Sequence, residues 1–200
     1  MTVTPALGGG TRTVEDGWSA GCHALDLAPY RNNIGITYAS DTGAGAFNVW
    51  GNSLPAEELP VGELTTVSGV PFRFPPVRPG KSDNVRCEGQ VVPVPPGRYD
   101  WLYLLVAAER RVEETVAFHF RDGAVDFEAL RVSDFWHAPP VFGEDEAFAT
   151  SRMHYPHHVQ ERVTAKVWCQ RVPVTRRSEL TALTLPHNVA VHVFAGTLRH

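Results

Sequence analysis

Three histidines lie within five positions of one another in the stretch MHYPHH: His154, His157 and His158. Upstream, the stretch SDFWH adds Asp134 and His137. Imidazole and carboxylate groups bind zinc or iron in proteins, and a histidine beside a carboxylate can also transfer protons near neutral pH. These five residues are the candidate catalytic groups if the protein is an enzyme, and the three clustered histidines are the candidate metal ligands.

The spacing of the cluster leaves its chemistry open. Pro156 interrupts the cluster, so the i, i+4 face of a helix cannot bring two of these histidines together. A divalent metal is one alternative, and no other cofactor is expected because no phosphate-binding glycine pattern or nucleophile elbow occurs. The interpretation favoured from the sequence is a solvated or subunit-contact loop in which one histidine hydrogen-bonds a ligand.

Aromatic and amide side chains could form a ligand site instead. Trp50, in FNVWGNS, and Trp136 each offer an indole ring that can pack on the apolar face of a sugar. Asn32 and Asn33 could hydrogen-bond neighbouring hydroxyls, although NNIG equally suits a turn. The predicted ligand-binding residues are Trp50, Trp136, Asn32, Asn33, His137 and His154.

Three other polar residues are predicted to support the fold. Glu57 and Glu58 are adjacent in PAEELP, so on a strand they would face opposite sides and form a poor pair for glycoside hydrolysis by two carboxylates. One of them is expected to anchor a loop through backbone N–H groups. Gln90, after Gly89, is expected to hold neighbouring loops together.

The elements that must position these residues are short strands. Sixteen prolines and seventeen glycines punctuate runs in which apolar residues alternate with polar ones, and no helical pattern intervenes. The sequence therefore predicts an all-β fold, an antiparallel two-sheet sandwich of jelly-roll type. Strands are predicted over 34–40, 46–50, 63–68, 70–74, 90–94, 99–108, 115–120, 125–134, 164–174, 179–185 and 189–198.

Residues 1–20 are predicted to be a flexible lead, and residues 21–200 a single sandwich domain. The segment 133–158 is predicted to be a long irregular connection. Strand alternation places His119 and His192 on outward faces and Trp101 in the core.

Composition narrows the classes of partner. The formal net charge is −4, so the excess of basic residues that phosphate binding requires is missing, and nucleic acid is not an expected partner. Neither a membrane-spanning run nor a signal peptide is expected, which predicts a cytoplasmic protein. Three widely spaced cysteines, Cys22, Cys87 and Cys169, are expected to be reduced.

Four stretches carry a resemblance to a known group of domains: LAPYRNNIGITYAS (27–40), SLPAEELPVGELTTVSGVPFRFP (53–75), NVRCEGQVVPVPPGRYDWLYLLVAA (84–108), and DG followed by VSDFW (122–123 and 132–136). Over roughly residues 25–198 the chain resembles the β-sandwich domains, similar to carbohydrate-binding modules, that are appended to bacterial and actinobacterial glycoside hydrolases. The resemblance implies a β-sandwich fold and a role in carbohydrate binding.

Three functions are consistent with the sequence. The first is non-catalytic binding of a carbohydrate or sugar-like ligand. The second is a small cytoplasmic enzyme of carbohydrate or secondary metabolism, with an acid–base or metal centre in the 133–158 segment. The third is an assembly protein, with a homo-oligomer as one form of the assembly.

Overall fold

The structure is a computed structural model that describes residues 20–136 and 139–200. His137 and most of the predicted lead lie outside the described residues. No helix among the described residues is long and apolar enough to cross a bilayer. Short 3-10 turns occur at Ala28–Tyr30, Thr42–Ala44 and Ala56–Glu58. The strands are β1 (Cys22–Ala24), β2 (Ile36–Thr37), β3 (Leu54–Pro55), β4 (Leu64–Val67), β5 (Val70–Arg73), β6 (Val85–Arg86), β7 (Val91–Gly97), β8 (Trp101–Ala108), β9 (Val112–Phe120), β10 (Val125–Val132), β11 (Asp145–Ala149), β12 (Arg152–Tyr155), β13 (His158–Glu161), β14 (Lys166–Pro173), β15 (Leu180–Thr184) and β16 (Val191–Arg199).

Two antiparallel sheets form the body of the domain. The first has the order β1-β16-β8-β14-β11, with β6 also paired to β16, and the second has the order β10-β9-β15-β7. Side chains from both sheets, including Leu104, Phe118, Trp168 and Leu183, form one buried cluster between them. The predicted all-β antiparallel sandwich is confirmed.

A second core lies on the other face of the six-stranded sheet. On β8, Leu104 and Val106 enter the core between the sheets, whereas Leu105 and Ala107 point to the opposite face. There they pack against the segments that contain β2 to β5 and β12, with Phe72 among the buried contacts. Because strand side chains alternate between faces, a run such as LYLLVAA is continuously apolar when both faces are covered.

Two element predictions are wrong. Residues 46–50 form a turn, because the Asn48 side chain accepts hydrogen bonds from the backbone N–H groups of Trp50 and Asn52 and competes with strand pairing. The segment 133–158 is not an irregular connection throughout, since it contains β11, β12 and the start of β13. Strand β11 pairs with β14, and β12 pairs with β13.

Two side chains lie elsewhere than predicted. His192 is completely buried, because the ring of Phe47 stacks on it, with 4.3 Å between ring centres, on the face where alternation predicted exposure. Trp101 is only half-buried, since it starts β8 at the end of the sheet, and the Arg171 guanidinium lies 5.0 Å from its ring centre. His119, also half-buried, is on the outer face of its sheet, with Nε2 2.7 Å from Thr184 Oγ1.

Candidate binding cleft

The hairpin β12–β13 separates the clustered histidines. His154 points into the interior and is completely buried, whereas His157 and His158 are exposed at the turn. The ring of His158 stacks on Tyr155. Asp134 is occupied locally, because its Oδ1 accepts a hydrogen bond from the backbone N–H of Trp136. Among the described residues no group of three or more histidine, cysteine or acidic side chains is arranged to hold a metal ion.

His154 belongs to a buried network of hydroxyl groups. Its Nδ1 lies 2.9 Å from Thr37 Oγ1, which in turn lies 2.7 Å from Ser53 Oγ. The second ring nitrogen, Nε2, lies 4.0 Å from the Glu57 carboxylate, beyond hydrogen-bond distance. Burial lowers the pKa of His154, with Glu57 opposing this shift. The network connects β2 and the residue before β3 to β12, and it stabilises the packing of these segments.

The two adjacent glutamates anchor different loops. Glu57 accepts a hydrogen bond from the backbone N–H of Ala39. Glu58 accepts from both the backbone N–H and the hydroxyl of Ser151, and its carboxylate lies 2.8 Å from Arg152 Nε. The expected anchoring of a loop by one of them is therefore confirmed for both. Gln90 also supports a turn, donating to the Arg86 carbonyl and accepting from the Glu88 N–H.

The asparagine pair also serves the fold. Asn32 exchanges hydrogen bonds with the backbone of Arg86 through both its amide oxygen and its amide nitrogen. Buried Asn33 donates to the Ala46 carbonyl and accepts from Asn84. Both amides thus hold the 31–36 segment against β6 and the chain leading into it.

Asn84 is the centre of a second buried network. Its amide nitrogen donates to Asn33 and Asp83, and its oxygen lies 3.0 Å from His192 Nδ1. The carboxylate of Asp83 also accepts from the N–H groups of Gly35 and Ile36. Burial raises the pKa of Asp83 to about 6, although these hydrogen bonds and Arg31 oppose the shift. Burial has the opposite effect on a base: it lowers the pKa of His192, and Glu109 opposes this shift.

The two predicted platform tryptophans are accessible. Trp50, in the turn after Asn48, is 69% exposed. Trp136 is 40% exposed and lies tilted against the ring of Phe135. Both therefore offer apolar surface to solvent, on segments that are loops and not sheet faces.

An open cleft of about 310 Å³ lies at the β14–β11 side of the six-stranded sheet. Four separate parts of the chain form it: the turn between β4 and β5, strand β8, the chain entering β11, and strand β14. The residues that line it are Ser68, Tyr103, Gly143, Asp145, Cys169, Gln170 and Arg171.

Side chains of the cleft combine an aromatic ring with charged groups. Tyr103 is half-buried and pairs across the strands with Arg171, whose guanidinium extends over Trp101. The Asp145 carboxylate accepts a hydrogen bond from the Ser68 hydroxyl. Ser68 has a φ of +51° and precedes Gly69 in a two-residue hairpin turn, an uncommon conformation for a residue other than glycine.

The cleft contains one of the three cysteines. All three are free and buried, as expected for reduced thiols. Burial raises the pKa of Cys169 to about 12, with the Asp145 carboxylate adding to the shift. Since the thiolate is the nucleophile, Cys169 is an inert wall of the cleft at neutral pH.

Sequence reasoning missed the cleft residues Tyr103, Asp145, Gln170 and Arg171. One signal was available, because Trp101 and Tyr103 lie two positions apart and must share a face of their strand. The convergence of Asp145 on that face depends on the pairing of β11 with β14, which no local pattern indicates.

The fold and the cleft define a two-sheet β-sandwich domain with an open polar cleft on one sheet. The chain belongs to the AziU2-like β-sandwich domain family, whose family model matches residues 21–200. No curated protein matches the chain. The family match supports the β-sandwich and provides no link to the modules of glycoside hydrolases.

Proposed function

We propose that the protein is a non-catalytic binding domain that holds a hydroxylated, sugar-like ligand in the cleft of Tyr103, Asp145 and Arg171. The observation that carries this proposal is the open position of the cleft, in which an aromatic ring lies beside a carboxylate and a guanidinium. The proposal places the ligand at the sheet face and not at the exposed loop tryptophans.

The side chains of the cleft suit a ligand with one apolar face and several hydroxyls. A sugar ring packs its C–H groups on an aromatic ring, while its hydroxyls exchange hydrogen bonds with planar polar groups at the edge. Asp145 can only accept hydrogen bonds when ionised, and Arg171 can only donate. A hydroxyl that donates to one of these groups can accept from the other. The amide of Gln170 is occupied, because it donates to the Arg131 carbonyl and accepts from the backbone N–H of Arg171.

The enzyme alternative receives less support from the described residues. His154 and His192 are completely buried, so neither can reach a substrate in the observed arrangement. His157 and His158 are accessible, and His158 lies on the face of the hairpin opposite that of His154. Catalysis by a buried histidine would require the segments that cover it to move.

Equilibrium titration with a panel of saccharides tests the proposed function. Saturable binding that is weakened by Arg171→Gln supports it, and binding that survives this substitution unchanged contradicts it.

Self-association is the second candidate, because one row on the outer face of the four-stranded sheet is uncharged. Phe127, in the middle of β10, is 70% exposed. Its row across the four-stranded sheet continues through Ala117, Thr184 and Val91 and contains no charged residue. A second copy of the chain could pack face to face on this row without opposing like charges, at the usual spacing of about 10 Å between sheets.

A further inference from the structure

We propose that the ligand of the open cleft is an amino sugar that also carries a carboxylate. Its ammonium group lies beside Asp145, and its carboxylate lies beside Arg171. The cleft is the one of the proposed function, on which this proposal rests. Two opposite charges that face the cleft without pairing with each other lead to this ligand class.

Asp145 and Arg171 are diagonal neighbours on one face of the six-stranded sheet. Asp145 pairs across the strands with Cys169, and Arg171 lies two positions after Cys169 on β14. Residues in this relationship are about 7–8 Å apart, which is within reach of a long side chain. The carboxylate and the guanidinium could therefore meet, yet each contacts a different neighbour.

Those other contacts leave both charged groups open to a ligand. The Asp145 carboxylate accepts a hydrogen bond from the Ser68 hydroxyl at Oδ2, and the Arg171 guanidinium lies 5.0 Å from the ring centre of Trp101. Among the described residues, neither Asp145 Oδ1 nor the side-chain N–H groups of Arg171 have a hydrogen-bond partner. Both side chains are exposed to solvent.

The space beside these two groups is open because a glycine lines it. Gly143, two residues before Asp145, has a φ of +75°, and a Cβ placed on it would meet no heavy atom within 4 Å. Cys169, which lies next to both charged residues in the strand register, is buried, and its thiol is neutral because its pKa is raised to about 12. A ligand group can therefore enter this space without displacing a side chain.

The charges around the cleft leave one positive and one negative group for a ligand. Glu144 is buried and accepts hydrogen bonds from two backbone N–H groups, and Glu146 pairs with Lys166. Arg199 lies on β16 and does not line the cleft. The charged residues that line the cleft are thus Asp145 and Arg171.

This pair of charges favours a zwitterion over a neutral or singly charged sugar. Asp145 can accept hydrogen bonds from an ammonium group, and the planar fork of Arg171 matches the two oxygens of a carboxylate. Such charge-assisted hydrogen bonds are stronger than the neutral ones that hydroxyls form. Tyr103, directly across from Arg171, offers its ring to the C–H groups of the sugar.

Calorimetric titration with muramic acid, a sugar with one amino group and one carboxylate, tests the proposal. At about pH 6.5 an amino group with a pKa of about 8 is protonated. N-acetylmuramic acid lacks the ammonium group, glucosamine lacks the carboxylate, glucose lacks both, and β-alanine carries both charges without a ring. We expect muramic acid to bind about tenfold more tightly than each of these probes.

Variants assign the two charges to the two residues. Asp145→Asn should weaken the binding of muramic acid about tenfold and leave that of N-acetylmuramic acid unchanged. Arg171→Gln should weaken the binding of muramic acid by a larger factor than that of glucosamine. Glu161→Gln and Arg110→Gln remove exposed charges outside the cleft and should change neither.

The possible outcomes separate this proposal from the proposed function. Equal affinities for muramic acid and N-acetylmuramic acid, or an equal loss of both in Asp145→Asn, would overturn the proposal, as would β-alanine binding as tightly as muramic acid. Glucose binding as tightly as muramic acid, with both weakened by Arg171→Gln, would support the proposed function and overturn this proposal. Binding of none of the sugars up to about 10 mM would contradict both.

Discussion

His154 and Thr37 are joined in the interior of the protein by a contact of 2.9 Å between Nδ1 and Oγ1, across 117 positions of sequence. This contact connects strand β12, which contains His154, to strand β2, which contains Thr37. The histidine that sequence spacing placed in a reactive cluster is thus a buried structural contact.

Burial of His154 predicts that acid destabilises the protein. Its pKa is lowered in the folded state, so between the ordinary histidine value of about 6.5 and the lower folded value the unfolded chain binds more protons. The contribution of His154 to stability is therefore complete above about pH 6.5 and decreases as the pH falls below it. Urea unfolding between about pH 7.5 and pH 5 should show a shallower decrease for His154→Gln than for the wild type.

Titration of Asp83 changes the stability of the protein in the opposite direction over the same pH range. Its pKa is raised to about 6, so protonation below that value stabilises the folded state. Comparing His154→Gln with the wild type removes this effect, because both proteins retain Asp83. The exposed His158→Gln variant is the control. Equal pH slopes for all three proteins would show that His154 does not titrate as its burial requires.

The carboxylate of Glu58 is expected to stabilise the β12–β13 hairpin. Glu58→Gln weakens the contacts with Ser151 and Arg152, and should lower the free energy of unfolding by about 1–2 kcal/mol. Amide hydrogen exchange in β12 should accelerate. Glu161→Gln is the matched control, since Glu161 lies 3.8 Å from Arg152 and is more exposed. Equal effects of the two substitutions would contradict the anchoring role of Glu58.

Removing the Asn84 side chain should lower the free energy of unfolding by more than the Glu58→Gln substitution does. Asn84→Ala removes partners from Asn33, Asp83 and His192 at once, and the three groups remain buried. Asp83 keeps its hydrogen bonds from Gly35 and Ile36, so the Asn33 side-chain oxygen and His192 Nδ1 are the groups left unsatisfied. Unsatisfied buried polar groups cost about 1–3 kcal/mol each, so we expect a loss of about 2 kcal/mol or more in chemical unfolding. Gln160→Ala, at an exposed position on β13, should change little. A loss of less than about 1 kcal/mol for Asn84→Ala would contradict the network.

The exposed ring of Phe127 lies in the uncharged row and allows self-association through that row to be tested. If that row pairs with a second copy, light scattering after size exclusion should give a dimer for the wild type and a monomer for Phe127→Ser. Val189→Ser, at another exposed apolar position, should leave the dimer intact. A wild-type monomer at about 100 μM would remove this candidate.

Local patterns predicted much of the sandwich. Alternation in TVAFHF, with Val116, Phe118 and Phe120 facing one side, identified the strand that became β9 and its inner face. The same rule failed for His192, because alternation gives the two faces of a strand but not what covers them. Residues 34–77 cover the second face of the six-stranded sheet, a long-range feature that no local pattern contains.

The candidate site was harder to predict than the fold. Spacing brought the three histidines together in sequence, yet a two-stranded hairpin sends neighbouring residues to opposite faces, and it separated His154 from His158. The cleft residues come from distant segments, Asp145 and Tyr103 being 42 positions apart, since 145 − 103 = 42. Only strand pairing brings them into one site.

Calorimetric titration of the purified protein with a saccharide panel tests the central claim most directly. The panel contains glucose, galactose, xylose, maltose and cellobiose, and the matched variants are Arg171→Gln in the cleft and Trp50→Ala on the exposed loop. The account predicts saturable binding of at least one saccharide, weakened about tenfold by Arg171→Gln and unchanged by Trp50→Ala. Loss of binding in Trp50→Ala with retention in Arg171→Gln would contradict the cleft, as would no binding of any saccharide up to about 10 mM.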